Sequence, residues 1–489
     1  MTTRPSVCLL AAVFAVAAPS FEANAQQRLA LKDAVAIAQR QSLQASAAQN
    51  TRDAARARDR WFSSTLLPQF SLGGDVPIYN RSIIAVTQPD GSTLFRPQEQ
   101  NQAALTVNAT QRLPYIGGEL FLQSALSRVD RIGASSSRTW QSTPLLVGMR
   151  QSILRPNTAS WDAREQDIRA DAAERAYAEA REDVALTTVN AYFDYYAAQV
   201  ALRNATSNVD IQDSLYVLNK GRFEVGKIGE NDLLQSELGV LNAKASLDAA
   251  KLEHDRTLAA LLLQLNLPQG TPLSLEAPVD VPNVATDTAV AVAQALRNRA
   301  QIRDLELQES QARRRVSEIR WSTGFGATLQ ASMGFNQTGT EMNAVYRDLL
   351  EAQRFSLSVQ MPLLQWGGRG AQIQEARANE SRTAATAQLA RAQLSQEAHF
   401  AALQLPQAAR QLTNAAKADT VATLRFEVAR NRYSISRIPI NDLFTAQNDK
   451  DRALTSYVQA LRGYWTAYYR LRRVTLFDFE TGATIFKAP

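Results

Sequence analysis

Few side chains in this 489-residue chain are equipped for covalent or metal chemistry. There is one cysteine, Cys8, and two histidines, His254 and His399. That is too little for zinc clusters, iron–sulfur ligation, a disulfide framework or Cys/His nucleophilic catalysis. Both histidines fall in charged, polar stretches of helical pattern, where a solvated or packed role outweighs a catalytic one. No Gly-rich loop followed by Lys and Ser/Thr occurs, so no nucleotide-driven step is expected. Lys plus Arg is 53 against 47 Asp plus Glu, a net +6, and the basic residues form no runs, which argues against a nucleic-acid partner. The expectation is no enzyme, no cofactor and no metal. The polar constellation that remains is a repeated element ending in Asn-Asp-Leu, Arg222 to Leu233 and again Arg432 to Leu443. Gly226 suits the positive φ of a helix C-terminus, and Asn231 or Asp232 suits the orphan amides of the next helix start.

That repeat is part of a larger duplication. Asp33 to Gln39 matches Thr288 to Gln294, and Trp61 has a counterpart in Trp321. The spacing between matched segments is longer early in the chain than late, so the first copy carries about fifty extra residues between Trp61 and the helix that follows. The expected boundaries are a first repeat over 26–270 and a second over 286–489, joined by a Pro-rich connection over 271–285. Asn157 to Leu267 contains no proline, is rich in alanine, and spaces its apolar residues three and four apart, predicting very long helices in a close-packed coiled coil or helical barrel. The second copy behaves similarly from about Gly370, with Pro406 expected to kink or break it.

Between helices the period changes to two. Phe325 to Phe335 alternates apolar residues with Gly, Thr, Gln and Ser, and Phe355 to Leu363 repeats the pattern. The first copy offers Phe70, Leu72, Val76 and Ile78, then Leu105 to Leu113, Leu120 to Leu126 and Leu145 to Ile153. Strands are therefore expected at about 69–153 and 324–363, of the length a tilted membrane strand needs. Trp61, Trp161, Trp321 and Trp366 flank these segments, where an interfacial aromatic girdle belongs. At the start of the chain, Arg4, the short apolar stretch Val7 to Ala18 and the Ala23-Asn24-Ala25 site read as a signal peptide over 1–25.

Two tandem copies of long helices plus strands, the Pro362 to Arg369 strand exit and the repeated Asn-Asp-Leu element resemble the TolC family of outer-membrane efflux proteins. The resemblance implies a mixed α and transmembrane β fold: a long-helix periplasmic α-barrel joined to an outer-membrane β-barrel, completed by trimerisation. It also implies a passive conduit in the bacterial outer membrane with a periplasmic extension. Its partners would be outer-membrane lipid, a periplasmic adaptor and an inner-membrane pump of RND or ABC type, in efflux or type I secretion. Two strands from each repeat in three chains would make a twelve-stranded barrel. The extra residues, with turn-like Gln88 to Gly91 and Tyr115 to Gly118, are expected as an additional hairpin or an extracellular loop structure.

The resemblance further places the second hairpin, with its tip near 436, inside the tunnel mouth. Asp442 would then form a threefold acidic ring that attracts cations, with Asn441 beside it and Tyr433, Arg432 and Arg437 as links to neighbouring helices. Thr445 stands where a second acidic residue is expected, and Ser436 replaces the glycine at the tip. Val225, Gly226 and Lys227, with Ile435, Ser436 and Arg437, match the tips where adaptor hairpins dock. The competing reading is a periplasmic coiled-coil scaffold without a pore.

Overall fold

The computed structural model describes residues 28–486 apart from 134, 135, 283 and 436. The expected signal peptide, with Cys8, and the tip residue Ser436 lie outside the described residues. Two short helices, α1 (Leu31–Gln41) and α2 (Leu43–Thr65), lead into four consecutive strands: β1 (Gln69–Thr87), β2 (Thr93–Leu113), β3 (Gly118–Ile132) and β4 (Ser137–Ile153). A helical hairpin follows, α3 (Thr158–Glu224) and α4 (Glu230–Gln264). The second copy repeats the order with α5 (Thr288–Asn298), α6 (Ala300–Ser322), β5 (Gly326–Gly339), β6 (Leu350–Gln360), α7 (Gly368–Ser434) and α8 (Ile440–Thr475). No helix among the described residues is long and apolar enough to cross a membrane.

The six strands form one antiparallel sheet in the order β1-β2-β3-β4-β5-β6, so the two copies meet where β4 pairs with β5. Of the two forms expected for the extra residues, the structure has the additional hairpin, so the first copy contributes four strands where two from each repeat would make twelve in three chains. Its extra residues form a hairpin that pairs with the rest of the sheet, with one register shift between Asp75 and Ile78. The outer half of that hairpin, from Ser82 opposite Gln98 to Thr87 opposite Thr93, extends beyond the end of β3 at Ile132. A sequence with alternating faces makes a strand readily, but how many strands share one sheet depends on long-range pairing.

The long helices follow from their composition. Asn157 caps α3, its Oδ1 accepting from the Ser160 amide at 3.1 Å, while its Nδ2 donates to the Pro114 carbonyl at 2.6 Å. One side chain thereby fastens the β2–β3 turn to the helix start. With 67 residues, α3 is roughly 100 Å long at about 1.5 Å per residue. Of the kink or break expected at Pro406, the break does not occur: α7 runs as one helix from Gly368 to Ser434 with the proline inside it. A proline removes only one helical hydrogen bond, and side-chain packing before and after it holds the helix together: Ala402 and Leu405 are buried ahead of it and Leu412 beyond it.

The main core lies midway along the helices. Tyr192, Phe193 and Tyr195 of α3 pack with Leu405 of α7 and with Tyr464, Trp465, Tyr468 and Tyr469 of α8. This cluster also pins the connection between repeats. Residues 274–275 pair in parallel with residues 28–29, and the Tyr192 hydroxyl lies 2.8 Å from the Leu29 carbonyl and 2.6 Å from that of Glu276. Trp465 Nε1 donates to the Pro278 carbonyl at 3.1 Å, and Tyr464 to that of Pro282. Burial beside these partners pushes the Tyr469 phenol up to about 12.

Candidate channel entrance and membrane-facing sheet

The two hairpin turns are built alike. At the end of α3 the Gly226 amide bonds to the Phe223 carbonyl and the Lys227 amide to that of Arg222 at 2.8 Å, with Gly226 at φ 70°. A backbone reversal of this kind uses the left-handed region that glycine enters without strain. At the end of α7 the Arg437 amide bonds to the Arg432 carbonyl at 2.9 Å, the counterpart of the Lys227 bond. The next helices also start alike: Asp232 N–H meets the Gly229 carbonyl, and Asp442 N–H meets that of Pro439, each at 3.2 Å. Asp232 and Asp442 both sit in the first turn, where the helix dipole favours a negative charge.

Of the residues proposed for the entrance, Tyr433 and Asn441 bridge the two hairpins. Tyr433 is buried and its hydroxyl donates to Asn219 Oδ1 at 2.7 Å, while Asn219 Nδ2 donates to Ser236 Oγ at 2.6 Å. Gln235 Nε2 donates to Asn441 Oδ1 at 2.8 Å. Asp442, Arg432 and Arg437 have exposed side chains. Near the tips an arginine that crosses between the hairpins is Arg222, whose guanidinium stacks 5.2 Å from the Tyr433 ring and donates to the Ser434 carbonyl at 3.1 Å. Val225 and Ile435 are exposed apolar residues at the tips, and Gly226 and Lys227 are exposed beside Val225.

Further from the tips, the links continue along the α3–α8 seam. Asp451 accepts from Asn204 at 2.9 Å and from Asn208 at 3.0 Å. Gln212 Nε2 donates to Gln447 Oε1 at 3.0 Å in a buried contact. These residues line a groove of about 850 Å³ between the hairpins. Sequence reasoning missed them, although a signal was present: Asn204, Asn208 and Gln212 stand four apart in α3, as do Gln447 and Asp451 in α8, so each set forms a polar stripe on one helix face.

At the other end, the sheet register sorts the side chains by face. Phe70, Ala109, Leu122, Val147 and Met333 lie side by side across five strands, and Leu120, Met149, Ala331 and Phe355 form the adjacent row. Ser71, Asn108 and Gln123 occupy the opposite face, as do Thr110, Ser332 and Arg354. In the single chain the apolar face has no cover: Phe70 is 77% exposed, Leu72 68%, Met333 66% and Phe355 74%. Burying a Leu, Val, Met or Phe side chain is worth roughly 1.5–3 kcal/mol, so a dozen left in water would cost the protein tens of kcal/mol. On the polar face, Phe121 covers Gly148, where a Cβ would approach the ring to 2.3 Å.

All four tryptophans named from the sequence sit where helices meet strands. Trp61 and Trp321 lie near the ends of α2 and α6, Trp161 in the first turn of α3, and Trp366 between β6 and α7. Trp366 is 88% exposed and has φ 47°. Trp140, which sequence reasoning left out, lies at the far end of β4 beneath Arg128, 5.6 Å from the ring centre. Its place at the start of a strand, just after the turn at Gly133, was the signal that could have found it.

The profile of the outer membrane efflux protein family matches residues 96–266. No curated protein sequence matches the chain. Among solved structures, the outer membrane channel CmeC of Campylobacter jejuni is similar at a TM-score of 0.66 and 16% identity, over 96% of this chain and 94% of that one. The outer membrane protein VceC of Vibrio cholerae is similar at a TM-score of 0.66 and 14% identity, over 92% and 96%. The open state of the MtrE outer membrane channel of Neisseria gonorrhoeae aligns at 0.60 and 14% identity, over 91% and 88%. The fold of these channels extends over nearly the whole chain, and the profile of the outer membrane efflux protein family matches the part of it that runs from the second strand to the end of the first helical hairpin.

Proposed function

We propose that the chain is the outer-membrane conduit of a tripartite efflux or type I secretion machine. In this reading three copies assemble, each giving its sheet to one barrel in the outer membrane and its long helices to a tunnel through the periplasm. An inner-membrane pump of RND or ABC type supplies the energy, and a periplasmic adaptor joins the pump to the hairpin tips at Val225, Gly226, Lys227, Ile435, Ser436 and Arg437. Trp61, Trp161, Trp321 and Trp366 anchor the barrel at the periplasmic interface. The observation that carries the reading is the sheet's two-faced register, an uncovered apolar face backed by a polar one, in a fold shared with outer-membrane channels.

Asp442 is the proposed gate residue. Exposed at the start of α8 and repeated in three copies, its carboxylate would narrow the mouth, draw in cations and make closure sensitive to divalent ions. Tyr433 and Asn441 hold the second hairpin against the first, so opening must break the bonds to Asn219 and Gln235. Arg432 and Arg437 set the charge at the tip around this ring. The test is single-channel recording in planar bilayers: Asp442→Ala should raise conductance and weaken block by divalent cations. Unchanged conductance with unchanged block would remove Asp442 from the gate.

A further inference from the structure

The sheet ends in two unpaired edges, β1 on one side and β6 on the other. Six strands are too few to enclose a membrane pore, since the smallest such barrels have about eight. A 19-residue edge strand beside an uncovered apolar face is also a strong template for pairing with another chain. We propose that β1 of one copy pairs directly with β6 of the next, so that the trimer closes as an eighteen-stranded barrel with the additional hairpin built into its wall. The inference rests on the trimeric reading above and goes beyond it in assigning the edges.

Four features fit the two edges to each other. An even number of strands per chain means that β6 and the next copy's β1 run antiparallel, preserving the alternation of the whole sheet. Both strands have their helix-side ends close to a helix in the chain: Gln69 follows the end of α2 at Thr65, and Gln360 precedes the start of α7 at Gly368. The faces match as well. Phe70 and Leu72 alternate with Ser71 and Gly73 on β1, while Phe355, Leu357 and Val359 alternate with Ser356 and Ser358 on β6. Finally, the row of apolar residues running from Met333 to Phe70 reaches the β1 edge without interruption, so the additional hairpin presents the same face to lipid as the other strands. At about 4.8 Å between strands and a tilt of about 40°, eighteen strands give a barrel roughly 36 Å across, against roughly 24 Å for twelve.

Cysteine cross-linking in the full chain tests the assignment, since Cys8 is the only native cysteine and lies in the expected leader. Leu357→Cys is combined in turn with Phe70→Cys and Leu72→Cys, and in a second set with Leu120→Cys, Leu122→Cys and Leu126→Cys on β3. A Leu72→Cys/Val107→Cys pair, which is in register within one chain, reports that the sheet has folded and that oxidation works. Reducible trimers on a denaturing gel from the first set alone are the expected result. Trimers from the second set alone would mean that β3 meets β6 and the additional hairpin lies off the barrel, which overturns the proposal but leaves the trimeric channel standing. Cross-links from neither set, with the control pair oxidised, overturn it too. A monomer by light scattering in detergent would then also remove the trimeric reading.

Discussion

At the scale of single residues, the chain places charge where it must be compensated. Glu182 on α3 is 2% exposed and paired with Arg472 on α8, Oε2 to Nε at 3.2 Å; Arg472 also reaches Asp478 at 3.2 Å and lies over the rings of Tyr468 and Tyr469. Burial outweighs the attraction of Arg472 and holds the Glu182 carboxyl above its ordinary 4.5. The sign follows from linkage. With the folded value above the unfolded one, Glu182 contributes fully below pH 4.5, and that contribution is lost as pH rises through the folded value. Glu182→Gln should therefore lack this loss, so the difference in melting temperature between wild type and variant changes across the range just above pH 4.5. Parallel melting curves over that range would show that the carboxyl is not perturbed. Asp442, by contrast, stands exposed, and in the function proposed above its effect depends on what three copies bring together.

At the scale of elements, the middle of the helical region is held by aromatic side chains more than by the coiled-coil pattern. Trp465 is 2% exposed, touches Tyr464, Tyr468 and Tyr469 ring to ring, and donates to the Pro278 carbonyl. Trp465→Ala should cost about 3–5 kcal/mol and release the connection between the repeats. Faster proteolytic cleavage within residues 276–286, together with a lower melting temperature, would register it; an unchanged cleavage rate would mean that Tyr192 and Tyr464 suffice to hold the connection. The helices were legible in the sequence because alanine-rich, proline-free periodicity is a local property. The continuity of α7 through Pro406 was not, because it depends on packing against partners distant in sequence. The seam residues Asn204, Asn208 and Gln212 fell between these cases: their spacing was visible, but their partner helix was not.

At the scale of the molecule, one sheet face meets lipid and the other meets water in the reading proposed above. Leu122 and Gln123 are neighbours in β3 on opposite faces, Leu122 in the apolar row and Gln123 opposite Asn108. Leu122→Arg should lose about 2–4 kcal/mol near the bilayer midplane and reduce folding into lipid vesicles, whereas Gln123→Arg should fold normally. If both variants folded equally well, the assignment of faces would be wrong. The same sheet carries the additional hairpin, so these variants also probe the element on which the proposed barrel closure depends.

The sequence by itself determined the duplication, the alternation of long helices with two-faced strands, the matching tip turns and the family resemblance. All of these are written in residue spacing, which acts over a few turns or a few strand positions. Only the tertiary structure decided that the first repeat contributes four strands to one sheet, that Arg222 and Asn219 meet Tyr433 across the two hairpins, and that the aromatic core pins the connection. Each of those depends on which distant segments come together, and a strand or a polar helix stripe is compatible with several partners until the chain has folded.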